Sequence, residues 1–245
     1  MSDPLAPLLD LPDVPDAVRA ARDAVDAVHN HPVNRRGWPT TAAEATVRAA
    51  RASAAIDGAD VELPEGGEVD EPVLAGALRV GEALGSLLPT WQRAPLQVLA
   101  RMHVLAASDL QPDPEQLGRP RRSGDAPERI EMLAQLLSGS TSVPGPVLAA
   151  VVHGELLSLE PFGTADGVVA RAAGRLTMIA TGLDPKGLCV PEVAFLRRMR
   201  RYREAAQGFA GGEPEGVGTW LLLCCEAFEA GAKEGLSIAD AAAEE

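Results

Sequence analysis

The chain has 245 residues, 46% of them hydrophobic, which supplies a sizeable core and excludes wholesale disorder. Aromatic residues make up only 3%, so packing rests on Ala, Leu and Val, a composition that favours close-packed helices over sheets. A formal net charge of −13 repels phosphate backbones and argues against general nucleic-acid binding. Residues 1–14 read as an irregular leader rich in Pro and Asp, with neither the basic nor the apolar region of a signal peptide. Val18, Ala21, Val25 and Val28 recur at helical spacing and predict a helix over 15–29. A connection over 31–39 closes this N-terminal part, residues 1–39.

Thr41 with Glu44 three residues on reads as a capping box that opens a second helix, running to Ile56 and stopped by Gly58. Residues 59–70 are acidic and carry Pro64, Gly66 and Gly67, a loop composition. Asp70 starts a third helix through Leu74, Leu78 and Leu84 to Leu88, and Pro89 and Pro95 bracket a break before a fourth over 96–107. The Pro-, Gly- and Arg-rich stretch 108–127 predicts a loop with a short hairpin around Gly118 to Gly124. Helices are expected at 127–138, 145–159, 166–181, 190–210 and 216–233. The Ala- and Glu-rich tail 234–245 is expected to fray. Strand signals are scarce, so the expected fold class is all-α.

The three cysteines, Cys189, Cys224 and Cys225, give neither a disulfide framework nor a zinc signature, which fits a cytoplasmic protein. No apolar run is long enough to cross a bilayer, so a membrane is not expected as a partner. The basic cluster from Arg197 to Arg203 reads as a solvated helix face. Trp38, beside Pro39 and Arg36, is the tryptophan expected to be exposed.

The chemistry lies between Val151 and Arg175, VVHGELLSLEPFGTADGVVARAAGR. A helix enters, a loop carries Gly163 and Gly167, and a second helix leaves with Arg171 and Arg175 at i, i+4. Unpaired backbone N–H groups and the dipole at a helix start favour an anion, so the layout can hold a phosphate.

This segment resembles the motif of the Fic (Fido) family, His-Pro-Phe-x-Asp/Glu-Gly-Asn-Gly-Arg-x-x-Arg, set between two helices. Residues 160–171 stand in the same register, and Pro161, Phe162, Gly167 and Arg171 match it. Further pieces fall in order. Ser53 to Gly58 is similar to the inhibitory pattern Ser/Thr-x-x-x-Glu-Gly/Asn, and Leu117 to Arg119 resembles the target-docking flap. Tyr202 and Gly218 to Leu221 resemble the closing helices, so the likeness spans residues 40–232.

The resemblance implies a Fic-like helical bundle over 40–233, with a central helix-loop-helix and an inhibitory-type helix before it. It implies relation to protein adenylyltransferases, in which the motif histidine takes a hydroxyl proton and ATP supplies AMP. Here that base position is Glu160, whose ordinary pKa of about 4.3 makes it a weaker base at neutral pH. Thr164 replaces the Mg²⁺-binding carboxylate and is a poor ligand for a hard cation, so a metal is not expected. Ala165 is expected to resist a positive φ, Asp166 adds negative charge in the anion turn, and Val168 replaces a phosphate-binding arginine.

The nucleotide-binding positions carried over are Phe162, Asp166, Gly167 and Arg171, and the regulatory ones are Ser53, Asp57 and Gly58. Asp57 and Arg171 are expected to form a salt bridge, failing beyond about 6 Å. The leading reading is a catalytically degenerate Fic-like protein that binds ATP, another nucleotide or a protein partner, with an oligomer open. Two rivals stand beside it. One is an active transferase with Glu160 as base. The other is a purely structural interaction module.

Overall fold

A computed structural model describes residues 3–64, 69–122, 124 and 126–244. Within them the chain is all-α, with no strand. The helices are α1 (Val14–Asn30), α2 (Trp38–Ile56), α3 (Pro72–Trp91), α4 (Pro95–Ala107) and α5 (Ala126–Gln135). They continue with α6 (Gly145–Leu159), α7 (Asp166–Ala180), α8 (Pro191–Arg197), α9 (Met199–Ala210) and α10 (Pro214–Ala241). No described helix is long and apolar enough to cross a membrane.

The architecture follows from α6. Residues 146–154 are buried without interruption, because Val, Leu and Ala surround the helix on every side. A helix apolar all round must be central. On one side α6 shares a core with α1, α8, α9 and α10, around Trp220, Phe195, Phe228 and Val25. On the other, Leu148, Val152 and Leu156 join α2, α3, α4 and α7 around Trp91, Met102 and Leu176. Where helices must come closest, glycine removes the side chain. A Cβ on Gly154 would stand 2.7 Å from Phe209 Cε1 and 2.8 Å from Trp220 Nε1. Trp220 uses that access to donate from Nε1 to the Ala150 carbonyl at 2.8 Å.

Several sequence expectations change. The second helix starts at Trp38, with Pro39 in its first turn, and there is no capping box. Thr41 instead lies inside the helix, buried, and its hydroxyl donates to Asn34 Oδ1 at 2.7 Å. The stretch 190–210 is two helices, broken at Arg198, whose N–H still reaches the carbonyls of Ala194 and Phe195. Residues 234–241 do not fray. They extend α10, and Ile238 and Ala239 are buried there. The leader forms a 3₁₀ turn over Ala6–Asp10, and the Asp3 carboxylate accepts from Thr141 and Ser142.

Residues 65–68 of the expected acidic loop lie outside the described residues, as do residues 123 and 125 of the expected hairpin. The described part of that stretch makes its backbone bond elsewhere: Arg121 N–H donates to the Pro161 carbonyl at 2.7 Å. Trp38 is 39% exposed, as its sequence neighbours suggested.

The five arginines of the basic stretch are all exposed, as expected of a solvated helix face, and some of them also pair within the chain. Arg198 and Arg201 both clasp Glu226, at 2.8 and 2.6 Å, and Arg203 reaches the Ile56 carbonyl.

Candidate functional site

The loop between α6 and α7 is shaped by three left-handed residues. Glu160 caps α6 with φ 41°, Gly163 has φ 83° and Ala165 has φ 53°. Ala165 therefore adopts the positive φ that its Cβ was expected to resist, a strained choice for a non-glycine residue. Glu160 sits at the exposed end of α6, with its N–H on the Leu156 carbonyl. It thus caps α6 at its C-terminal end.

Asp166 opens α7 and turns its carboxylate back over the loop. Oδ1 accepts from the N–H of Phe162 at 2.9 Å and Oδ2 from the N–H of Gly163 at 2.6 Å. These are backbone donors of the kind an anion turn offers to phosphate. Here a carboxylate of the same chain takes them. Burial drives the Asp166 pKa up to about 6 against the pull of the two N–H bonds and of Arg121, and Glu160 adds repulsion.

The ring of Phe162 is buried and stacks on His103 from α4, with centroids 4.3 Å apart and planes within 6°. His103 Nδ1 accepts from the Gly118 N–H at 2.9 Å, so Nε2 carries the proton that it gives Thr164 Oγ1 at 3.0 Å. Burial lowers the His103 pKa and keeps this neutral form. Thr164 is therefore committed to a histidine.

The third group lies on the α2 side. Arg171 is buried on α7. Its Nε donates to Ser53 Oγ at 2.8 Å, and Nη2 donates to the Ser53 carbonyl at 3.0 Å and to Asp57 Oδ2 at 2.7 Å. The salt bridge expected between Asp57 and Arg171 is present. Gly58, with φ 87°, turns the chain away just after Asp57. Gly167 makes the approach feasible, since a Cβ there would lie 2.8 Å from both Asp57 carboxylate oxygens.

Tyr202 of α9 faces Arg171 from behind and stands 2.8 Å from His153 Nε2. Burial, with Arg171 nearby, holds the His153 pKa well below its ordinary value, so this buried histidine stays neutral. One turn on, Arg175 donates to the carbonyls of Cys189 and Gly187, each at 2.7 Å, and pins the chain after α7.

The structure thus gathers the expected residues into two groups. Ser53, Asp57, Gly167 and Arg171 meet at the α2–α7 contact, and Phe162 and Asp166 close the loop. Glu160 stands outside both. His103 and Arg121 were missed. His103 is a lone histidine on an apolar helix, and Arg121 sits in an irregular loop, so neither carries a sequence signal. Among the described residues, no cluster of three or more His, Cys, Asp or Glu side chains is placed to hold a metal ion.

No protein-family model matches the chain, and no curated protein matches it. Solved structures do. A Fic family protein from Desulfovibrio desulfuricans G20 matches with a TM-score of 0.71 at 17% identity, over 92% of this chain and 74% of that one. Residues 134–508 of Fic-1 from C. elegans match with a TM-score of 0.71 at 17% identity, over 91% of this chain and 72% of that one. A variant of the same Fic-1 segment gives 0.72 over 96% and 74%. The fold of this chain is the helical fold of Fic family proteins.

Proposed function

We propose that this chain is a catalytically degenerate relative of the protein adenylyltransferases, one that transfers no AMP and acts by binding. The observation that carries the reading is the internal saturation of the old anion site. The Phe162 and Gly163 N–H groups are spent on Asp166, and the Arg171 guanidinium is spent on Ser53 and Asp57. Phosphoryl and nucleotidyl transfer rest on positioning and on neutralising phosphate charge. A site whose donors face two carboxylates of its own chain opposes both.

Mg²⁺–ATP does not fit these residues. Thr164 stands where a carboxylate ligand is needed and its hydroxyl is bonded to His103. The Asp166 carboxylate is turned into the loop, and Val168 is buried where a phosphate-binding arginine is expected. Glu160, a carboxylate, stands at the base position where the family motif has a histidine. With the nucleotide route opposed in this way, a protein partner is the favoured ligand class. The three buried free cysteines fit a cytoplasmic setting.

The test is thermal unfolding of the full chain with ATP, with and without Mg²⁺, together with an assay for AMP transfer. Saturating ligand at about 100 Kd would stabilise by about 2.7 kcal/mol. The proposal expects no shift and no labelled product. A Mg²⁺-dependent shift with transfer that disappears in Glu160→Ala would instead establish the active-enzyme reading.

A further inference from the structure

A cavity lies beside the motif loop and shares Phe162 and Arg121 with the surroundings of Asp166. It is a half-open cleft of about 460 Å³ between α4, the 118–122 segment, α5 and the loop residues Pro161 and Phe162. Its walls are hydrocarbon: Leu96 and Leu99 from α4, Ile130 from α5, and the back of Phe162. Leu96 is 39% exposed there, a large apolar side chain left open to solvent. Two backbone bonds tie this wall to its neighbours: the Gly118 N–H donates to His103 and the Arg121 N–H to the Pro161 carbonyl.

The rim is basic. Arg121 and Arg122 both line the cavity, and both are exposed. Among the described residues neither guanidinium hydrogen-bonds or ion-pairs with a carboxylate, although Arg121 lies within electrostatic reach of Asp166. Elsewhere in this chain of net charge −13, Arg48, Arg79, Arg171, Arg198 and Arg201 each ion-pair with a carboxylate. Two adjacent guanidiniums thus stand at the mouth of an apolar cavity, that of Arg121 against Gly163 of the motif loop. They would concentrate anions at that mouth.

From this arrangement we infer that the cavity binds a small amphipathic carboxylate, with its apolar body against Leu99, Ile130 and Phe162 and its head on Arg121 and Arg122. The volume is that of a small-molecule site, and apolar walls with a few convergent polar groups are the usual composition of one. A guanidinium matches a carboxylate with two parallel N–H bonds. A nucleotide is the poorer fit, because Gln97 is the one uncharged polar side chain on the walls and a base edge would lose its hydrogen bonds there. This site is separate from the Arg171 group and borders the Asp166 turn through Phe162 and Arg121, so it calls for no nucleotide in that turn.

The test is titration of the full chain with octanoate and with 4-phenylbutyrate, following the His103 and Phe162 ring signals by NMR. Octanamide, which keeps the apolar body and loses the charge, is the control. Saturable shifts with both carboxylates are expected. Affinity should fall about tenfold or more with octanamide and in the double variant R121A/R122A, and should largely persist in R121K/R122K. Both arginines are exposed, so the double variant should keep the wild-type melting temperature. The absence of saturable shifts at millimolar carboxylate overturns the inference. So does equal binding by octanamide, or by R121A/R122A. Binding here with no response to ATP separates this site from the anion turn.

Discussion

Nη2 of Arg171 stands 2.7 Å from Oδ2 of Asp57, and the two partners differ in their access to water: the arginine side chain is 2% exposed and the carboxylate 28%. The pair is lopsided as a result. Losing the carboxylate strands a buried cation, while losing the cation leaves a carboxylate that water can reach. Asp57→Ala should therefore destabilise the fold by about 2 kcal/mol, less than for a fully buried pair because Ser53 still accepts two bonds. Urea unfolding of the variant against wild type measures it. A change near zero would mean that Ser53 and Tyr202 suffice to hold Arg171.

Gly167 offers a sharper probe of the same contact. A methyl group there meets both Asp57 oxygens at 2.8 Å, so Gly167→Ala should cost about 1–3 kcal/mol in the wild-type background. In Asp57→Ala the obstacle is gone, and the better helix propensity of Ala should make the same change neutral or stabilising by up to about 1 kcal/mol. A double-mutant cycle on the two positions reads the difference directly. Additive effects would show that Asp57 does not occupy the first turn of α7 in solution.

Asp166 sets a pH dependence. Its pKa in the folded chain is raised from 3.8 to about 6, burial being the main cause. Protonation is thus favoured by folding. The group's contribution to stability is full below about pH 4 and is lost as pH rises through about 6. A carboxyl-carbon NMR titration should show this residue with a midpoint near 6, well above the exposed carboxylates. Stability in Asp166→Asn should lack this residue's share of the slope between pH 4 and 6. A midpoint in the ordinary aspartate range would mean that the two N–H bonds and Arg121 outweigh burial at this carboxylate.

Ala165 carries a left-handed backbone with φ 53°. Removing its Cβ relieves that strain but frees the unfolded chain, and the strain is the larger of the two. Ala165→Gly should stabilise by about 0.5 kcal/mol, seen as a rise in the denaturant midpoint at unchanged m-value. A loss of stability would show that the alanine methyl packs usefully on the loop.

The helices were legible wherever an apolar period ran unbroken, as in Val18 to Val28, or wherever all sides were apolar, as in α6. The Asp57–Arg171 contact was legible too, because two short patterns 114 residues apart carried it. Local signals failed where a distant residue outbid them. Thr41 looked like a cap, but Asn34 accepts its hydroxyl and the helix begins a turn earlier. Residues 234–241 looked solvent-bound from composition, yet Gly235 lets α10 run close against the Leu188 carbonyl, and the helix continues. Asp166 was expected to repel phosphate. Its actual role, filling the donors itself, depends on the left-handed turn at Ala165, which no propensity foretells. His103 and Arg121 reach the loop only through tertiary packing.

The position of α6 has a consequence for how the molecule comes apart. Successive residues of that helix serve opposite cores, Val147 and Ala149 on one side and Leu148 and Val152 on the other. Neither half of the protein can lose its interior while the other keeps a sealed one. Heating should produce a single cooperative transition with no half-melted species. Protease nicking between α4 and α5 should leave two fragments that stay together and separate only when the whole melts.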